Sequence, residues 1–386
     1  MEIGIVGKPN VGKSTLFNAL TMAGAEVANY PFTTIKANVA VGYARVNCAC
    51  TELNVKCAPK NSYCTKGSRF VPIKIIDVAG LVPGAHEGRG LGNQFLDDLR
   101  QADILIHVID ICGKTNENGE PVPSHDPEAD VKFLEEEVNL WFYNVLKKNV
   151  TKVLAKMKHT KADVVKKFAE VLSGVGITES QIHEAFLKAP IEKFDDHELM
   201  NFAVALRSVW KPIILCANKI DQDTAGNYER LRQKYDIPPV CAEAELALRK
   251  AQSAGMIDYV PGDSEFTIAG ANEKQAKALD FIKGSILKKY GSTGAQGLVN
   301  HVVFDVLKLI AVYPVEDEHK LSDKQGNVLP DAYLVPRGTT ALDLAFRVHT
   351  DIGKKFIGAI DCKTGRQIGK DHVLENGDVV KIIAGR

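Results

Sequence analysis

Gly7, Lys8, Pro9, Asn10, Val11, Gly12, Lys13, Ser14 and Thr15 spell G-x-x-x-x-G-K-S-T, a run whose residue types suit the holding of nucleotide phosphates. The glycines let successive backbone N–H groups turn inward on an anion, and Lys13 adds a point charge for the β- and γ-phosphates. The Ser14 hydroxyl is the expected Mg²⁺ ligand. A second phosphate-side element is read in Asp77-Val78-Ala79-Gly80, where Asp77 would hold Mg²⁺ through water and the Gly80 N–H would meet the γ-phosphate. Leu81 follows, where a glutamine usually orients the attacking water, so unaided hydrolysis is expected to be slow. His86 is the nearby acid–base side chain and a candidate catalytic group, against the plainer reading of a solvated loop histidine. In such switch proteins a loop after the first helix supplies a threonine to Mg²⁺, and Phe32-Thr33-Thr34 stands in that position. Asn218-Lys219-Ile220-Asp221 would read the base: Asp221 accepts from the guanine N1–H and exocyclic amine, Asn218 ties the loop and Lys219 lies along the ring. Cys241-Ala242 is placed to donate an N–H to the base oxygen.

These residues need strands and helices to position them. The apolar run 3–6 reads as a buried parallel strand, and Leu16, Phe17 and Leu20 follow the glycine loop at helical spacing. Further strands are expected at 38–43, 70–76, 103–110, 211–217 and 237–240, with a polar loop over 112–130. Helical periodicity over about 127–209 is too long for one crossover helix and implies an inserted helical arm. That arm carries Lys147, Lys148, Lys152, Lys156, Lys158, Lys161, Lys166 and Lys167 against Asp163, a candidate RNA or ribosome contact unless it is simply a solvated face. Helix is expected again over 273–290, then a linker at 291–297. Strands at 302–312, 332–335, 356–360 and 379–383, with one helix after Thr339-Thr340, make a small β-grasp pattern.

Composition sets outer bounds. A chain of 386 residues calls for two or three domains, and its apolar and charged fractions are those of a globular protein. Its formal charge is zero, so nucleic-acid binding needs a local patch. The chain opens on a strand, so no signal peptide is expected, and the longest apolar run is broken by Asp305 and Lys308, so no membrane span is expected. A cytoplasmic location follows as the expectation, and oligomeric state stays open. Four of the eight cysteines cluster as Cys48-x-Cys50-x₆-Cys57-x₆-Cys64. That spacing leaves three readings: a tetrahedral Zn²⁺ site without the usual C-x₂-C pairs, two disulfides, or inert reduced thiols.

The P-loop, the segment Tyr30-Pro31-Phe32-Thr33-Thr34 and the run 77–86 together resemble the Obg family of GTPases, in particular its YchF-like branch. The resemblance implies a P-loop GTPase fold, with Thr34 rather than Thr33 on Mg²⁺ and a hydrophobic residue in place of the catalytic glutamine. It also implies that Asn10 helps to hold a K⁺ ion acting like an arginine finger, and that the helical insertion is a coiled-coil arm. Residues 335–345 resemble the TGS domain. The acidic position of the base-reading motif is usually glutamate in that branch, with ATP preferred, so Asp221 favours GTP.

The expectation is thus an α/β protein: a P-loop GTPase domain over 1–138 and 207–292, an inserted helical arm over 139–206 and a C-terminal β-grasp TGS domain over 299–386. It would hydrolyse GTP with Lys13, Asn10 and His86 as catalytic candidates and Ser14, Thr34 and Asp77 around Mg²⁺, and contact ribosome or RNA. The alternatives are an ATP-preferring P-loop enzyme and a nucleotide-clamped RNA-binding module with negligible turnover.

Overall fold

The computed structural model describes residues 1–21, 38–78, 99–154, 161–192 and 195–385. Phe32, Thr33, Thr34, Gly80, Leu81, His86, Lys156 and Lys158 lie outside them. The chain divides into two compact units, Met1–Phe17 with Lys74–Glu243, and Asn18–Ile73 with Ala244–Arg386. In chain order the strands are β1 (Glu2–Val6), β2 (Val39–Asn47), β3 (Tyr63–Thr65), β4 (Ser68–Asp77), β5 (Ile104–Asp110), β6 (Ile213–Asn218), β7 (Pro239–Val240), β8 (Ile257–Tyr259), β9 (Phe266–Ile268), β10 (Leu309–Val315), β11 (Tyr333–Pro336), β12 (Phe356–Asp361), β13 (Arg366–Ile368) and β14 (Val379–Ala384).

In the first unit the end of β4 is followed across the sheet by β1, β5, β6 and β7, every pair parallel. Parallel strands with both faces covered are apolar throughout, and β5 is buried along its whole length. β1 is so closely flanked that a Cβ on Gly4 would meet Leu105 Cδ2 at 2.9 Å and Ala102 Cβ at 3.0 Å. Because the strands run one way, their carboxyl ends share an edge, where open α/β sheets bind ligands. Asp77, Asp110 and Asn218 end three of those strands, and Gly7 follows a fourth.

The expected helical region resolves into Pro127–Leu154, Lys161–Leu172, Glu179–Lys188 and Asp196–Trp210. The first opens with proline at its first position and Glu128 and Asp130 in its first turn, where the helix dipole favours anions. Thr178 and Gln181 form a capping box on the third, and Asp195 caps the fourth through the Glu198 N–H. Phe168, Phe186 and Phe202 lock the last three together, with ring centroids 4.5–5.8 Å apart.

The second unit holds the β3–β4 hairpin with β2 beside β4, the β8–β9 hairpin, and a five-stranded sheet in the order β11-β10-β14-β12-β13. Only the β10–β14 pair in that sheet is parallel, and helix Ala341–Val348 starts on a Thr340–Asp343 capping box, as a β-grasp requires. One expectation fails here. The apolar run 302–312 is not one strand: Ala295–Asn300 is α-helix, His301–Val306 continues it as a π-turn, and β10 begins only at Leu309. Leu298, Val299, Val302 and Val303 are all buried, at helical rather than alternating spacing. The same helix takes the end of the expected 291–297 linker, burying Ala295 and Gln296. No helix among the described residues is long and apolar enough to cross a membrane.

Candidate functional site

The glycine loop sits between β1 and helix Lys13–Thr21 and depends on its unusual backbone. Gly7 and Gly12 have φ of +146° and +98°, and Asn10 adopts φ 63°. A Cβ on Gly7 would meet the Val108 carbonyl oxygen at 2.5 Å, and one on Gly12 would run into Asn218 Nδ2. Ser14 Oγ donates to Asp77 Oδ2 at 3.1 Å, so the two expected metal-side groups are adjacent. Hard oxygen donors of this kind suit Mg²⁺. Lys13 Nζ donates to the Lys8 carbonyl oxygen at 2.8 Å. Burial pushes the Lys13 pKa down, and the Asp77 charge pushes back.

The base-reading motif is fastened to that loop. Asn218 Nδ2 donates to the Val11 carbonyl at 2.8 Å, while its Oδ1 accepts from the Ala242 N–H at 3.1 Å. One side chain therefore spans the phosphate loop, the strand end and the Cys241-Ala242 corner. Lys219, at φ 62°, lays its ammonium across Asn10 O (2.9 Å) and Asp110 Oδ2 (3.0 Å). Cys241 Sγ donates to Asp221 Oδ1 at 3.1 Å, which steadies the carboxylate expected to read guanine.

Four features here are not evident from short sequence motifs. Asp110 is buried and accepts from Thr115 Oγ1, Cys112 Sγ and Lys219 Nζ. Burial pushes its carboxyl up, but those hydrogen bonds together outweigh it and hold the pKa below the usual range. Its one sequence signal is position: a carboxylate ending β5, in register with Asn218. Lys8 sends its side chain away from the loop into a buried pair with Asp130 at 2.7 Å and to the Thr115 carbonyl at 2.7 Å, so its expected nucleotide contact falls to its backbone. The polar loop after Asp110 packs against the phosphate loop: Asn10 Nδ2 donates to Gly119 O at 2.9 Å, and a Cβ on Gly119 would meet Pro9 O at 2.5 Å. His107, fully buried in β5, is held neutral: burial first, then the charges of Lys13 and Lys8, push its pKa down to about 3.

Elsewhere, the lysine run is less isolated than local sequence suggests. Lys147 pairs with Asp196 at 2.8 Å across two helices, whereas Lys148 and Lys166 are exposed. Cys48, Cys50, Cys57 and Cys64 converge in the second unit, their four sulfurs all within 4.8 Å of one another.

Comparison with known proteins places these features among relatives. Residues 2–168 match a family described as 50S ribosome-binding GTPases, residues 216–317 the G4 motif-containing domain of YGR210-like Obg-like GTPases, and residues 325–384 the TGS domain. A GTP-binding protein of Methanocaldococcus jannaschii is 51% identical over 99% of this chain and 98% of its own. The ribosome-binding ATPase YchF of Bacillus subtilis is 28% identical over 98% of each chain. The crystal structure of a GTP-binding protein from Pyrococcus horikoshii OT3 superposes with a TM-score of 0.78 at 40% identity, covering 100% of both chains. The YchF GTPase of Schizosaccharomyces pombe superposes with a TM-score of 0.60 over 99% of this chain and 97% of its own, at 20% identity, a likeness of fold alone.

Proposed function

This chain belongs to the YchF-like branch of the Obg-like GTPases, a GTP-binding family, and from that premise we propose that it hydrolyses GTP slowly as a switch acting on the ribosome or its RNA in the cytoplasm. The observation that carries guanine reading is the double hydrogen bond of Asn218, which ties the Ala242 N–H to the phosphate loop, with Asp221, three residues after Asn218, steadied by Cys241 Sγ. Lys13 and the loop's N–H groups would bind the phosphates, and Ser14, Thr34 and, through water, Asp77 would hold Mg²⁺, which would neutralise charge on the β- and γ-phosphates. The domain division that fits this reading is 1–138 with 207–292 for nucleotide, 139–206 for the arm and 299–386 for the TGS domain. Some relatives are named ATPases, so an ATP preference is the competing reading. Steady-state phosphate release tests it: GTP should turn over in preference to ATP, and the rate should rise with ribosomes. Faster ATP turnover would transfer the reading to an ATPase.

Turnover is expected to be faster in K⁺ than in Na⁺, because Leu81 cannot orient water and Asn10 stands where a monovalent ion is held in related enzymes. Equal rates in the two buffers would remove Asn10 from the mechanism. Loss of turnover in His86→Ala with nucleotide affinity retained would place that histidine in catalysis, and an unchanged rate would leave it a solvated side chain.

The arm should add sequence-independent RNA affinity that weakens with salt, since each lysine contact to a phosphate releases a counterion. Because Lys147 already has a carboxylate partner, the informative substitutions are Lys148, Lys152, Lys156 and Lys166 to Gln together. They should flatten the log–log salt dependence of RNA binding by up to about 3 units. An unchanged slope would leave the run as a solvated face.

A further inference from the structure

We propose that Cys48, Cys50, Cys57 and Cys64 bind one structural Zn²⁺ ion as a four-thiolate site, with Arg69 as its buried counter-charge. A zinc ion bound tetrahedrally at about 2.3 Å per sulfur holds its ligands about 3.8 Å apart. Cys48 and Cys57 sulfurs lie 4.0 Å apart, Cys50 and Cys64 sulfurs 3.9 Å, and the remaining separations stay within 4.8 Å. Four thiols from a 17-residue stretch with no C-x₂-C pair have thus been gathered into a tetrahedron of nearly the right edge.

The backbone explains how such odd spacing closes. Cys48 precedes a single helical turn, Ala49–Glu52, that carries Cys50. Cys64 stands on β3, and the two-residue turn Lys66-Gly67, with φ of 47° and 78°, folds β4 back beside it. The Cys48 N–H donates to the Gly67 carbonyl at 2.8 Å, which docks the first pair of thiols onto that turn. The loop with Cys57 is pinned by the Ala58 N–H to Val328 O at 2.8 Å. Cys50 and Cys57 pack against a core built from Val71, Tyr313, Val315 and Leu329.

The second observation is electrostatic and separates metal from disulfides. Arg69 is directly opposite Cys64 in the β3–β4 pairing and is fully buried. Its Nη2 donates to the Leu329 carbonyl and its guanidinium lies 5.4 Å from the centre of the Tyr313 ring. Its Nε and Nη1 have no hydrogen-bond partner, and among the described residues no carboxylate is in ion-pair contact with it, the half-buried Asp331 acting on it only through space. An unpaired buried charge is heavily penalised. Two disulfides, being neutral, would leave it with only the through-space charge of Asp331. Four thiolates on Zn²⁺ carry a net charge of −2 and would face Arg69 with the opposite sign. Disulfides Cys48–Cys57 and Cys50–Cys64 would also give no reason for the two pairs to converge on one centre. Binding releases the thiol protons to solvent, with no change of oxidation state.

The test uses the intact chain without nucleotide, so its outcome is independent of the proposed GTPase activity. Purified under reducing conditions with zinc present, it should retain about one Zn²⁺ per chain by elemental analysis. Refolded with Co²⁺ instead, it should show the charge-transfer and d–d absorption of a tetrahedral thiolate site. After denaturation with a chelator all eight cysteines should titrate as free thiols. Cys48→Ser with Cys57→Ser should lose the metal and lower the melting temperature, whereas Cys362→Ser should keep it. If the double variant does not fold, the metal content, Co²⁺ spectrum and thiol count of the parent still decide. Substoichiometric metal with all thiols free would overturn the proposal, as would a non-reducing peptide map showing two disulfides.

Discussion

Asp221→Asn is expected to exchange GTP for XTP. The Asp221 carboxylate, exposed in this structure, is proposed to accept two hydrogen bonds from guanine, each charge-assisted and worth roughly 1.5–3 kcal/mol once the bound base shields it from water. Asparagine keeps one acceptor but turns an amide NH₂ toward the guanine amine, donor against donor. A loss of about 3–5 kcal/mol weakens GTP by about two to four decades. Xanthine presents a carbonyl where guanine has that amine, so the same substitution restores a matched pair for XTP. The neighbouring contacts support a clean exchange: Asn218 rather than Asp221 carries the links to Val11 and Ala242, so the loop should keep its shape. Direct titration with both nucleotides checks this, and unaltered GTP affinity would remove Asp221 from base reading.

Lys13→Ala should be comparably damaging to every triphosphate. Removing one partner of a desolvated charge pair costs about 2–5 kcal/mol, equivalent to about 1.5 to 3.5 decades in Kd. The loss should be similar for GTP and XTP, because the ammonium meets phosphate rather than base. Folding should survive, since the hydrogen bond that Lys13 makes here is to a single backbone carbonyl at the loop. Calorimetric titration alongside a melting curve separates the two effects. Near-parental affinity would show that the loop's N–H groups suffice.

The motifs that hold these two residues are legible from sequence because each is written in a short, contiguous run. The glycine loop and the base-reading tetrapeptide each carry their own backbone demands, visible here as positive φ at Gly7, Gly12 and Lys219. What joins them is not local. Asn218 meets Val11 207 residues away, and Lys8 meets Thr115 107 residues away, so no period or spacing announces either contact. Asp110 is a similar case: the strand ending in it is obvious, but its grip on Lys219 exists only once β5 and β6 are in register. The run 302–312 misleads because a buried helix and a buried strand are both simply apolar; the helical spacing of Leu298, Val299, Val302 and Val303 becomes decisive only when the residues before it are included. Counting acids only inside the lysine run likewise misses Asp196, which a neighbouring helix brings to Lys147. The cysteine cluster stays open in sequence between metal, disulfide and inert thiols because its spacing is irregular; the β3–β4 turn and buried Arg69, on which the metal proposal rests, are not visible in spacing.

The most direct test of guanine reading is equilibrium competition on the unaltered protein, with a fluorescent GTP analogue displaced by GTP, ATP or XTP in Mg²⁺ buffer. A site that hydrogen-bonds a substrate amine rejects analogues lacking it by orders of magnitude, because its acceptor, covered by the bound base, is left unpaired. GTP should therefore displace the probe, with ATP and XTP weaker by more than about a hundredfold. Displacement by ATP at concentrations equal to or below those of GTP would contradict guanine recognition through Asp221 and identify an adenine-accepting site.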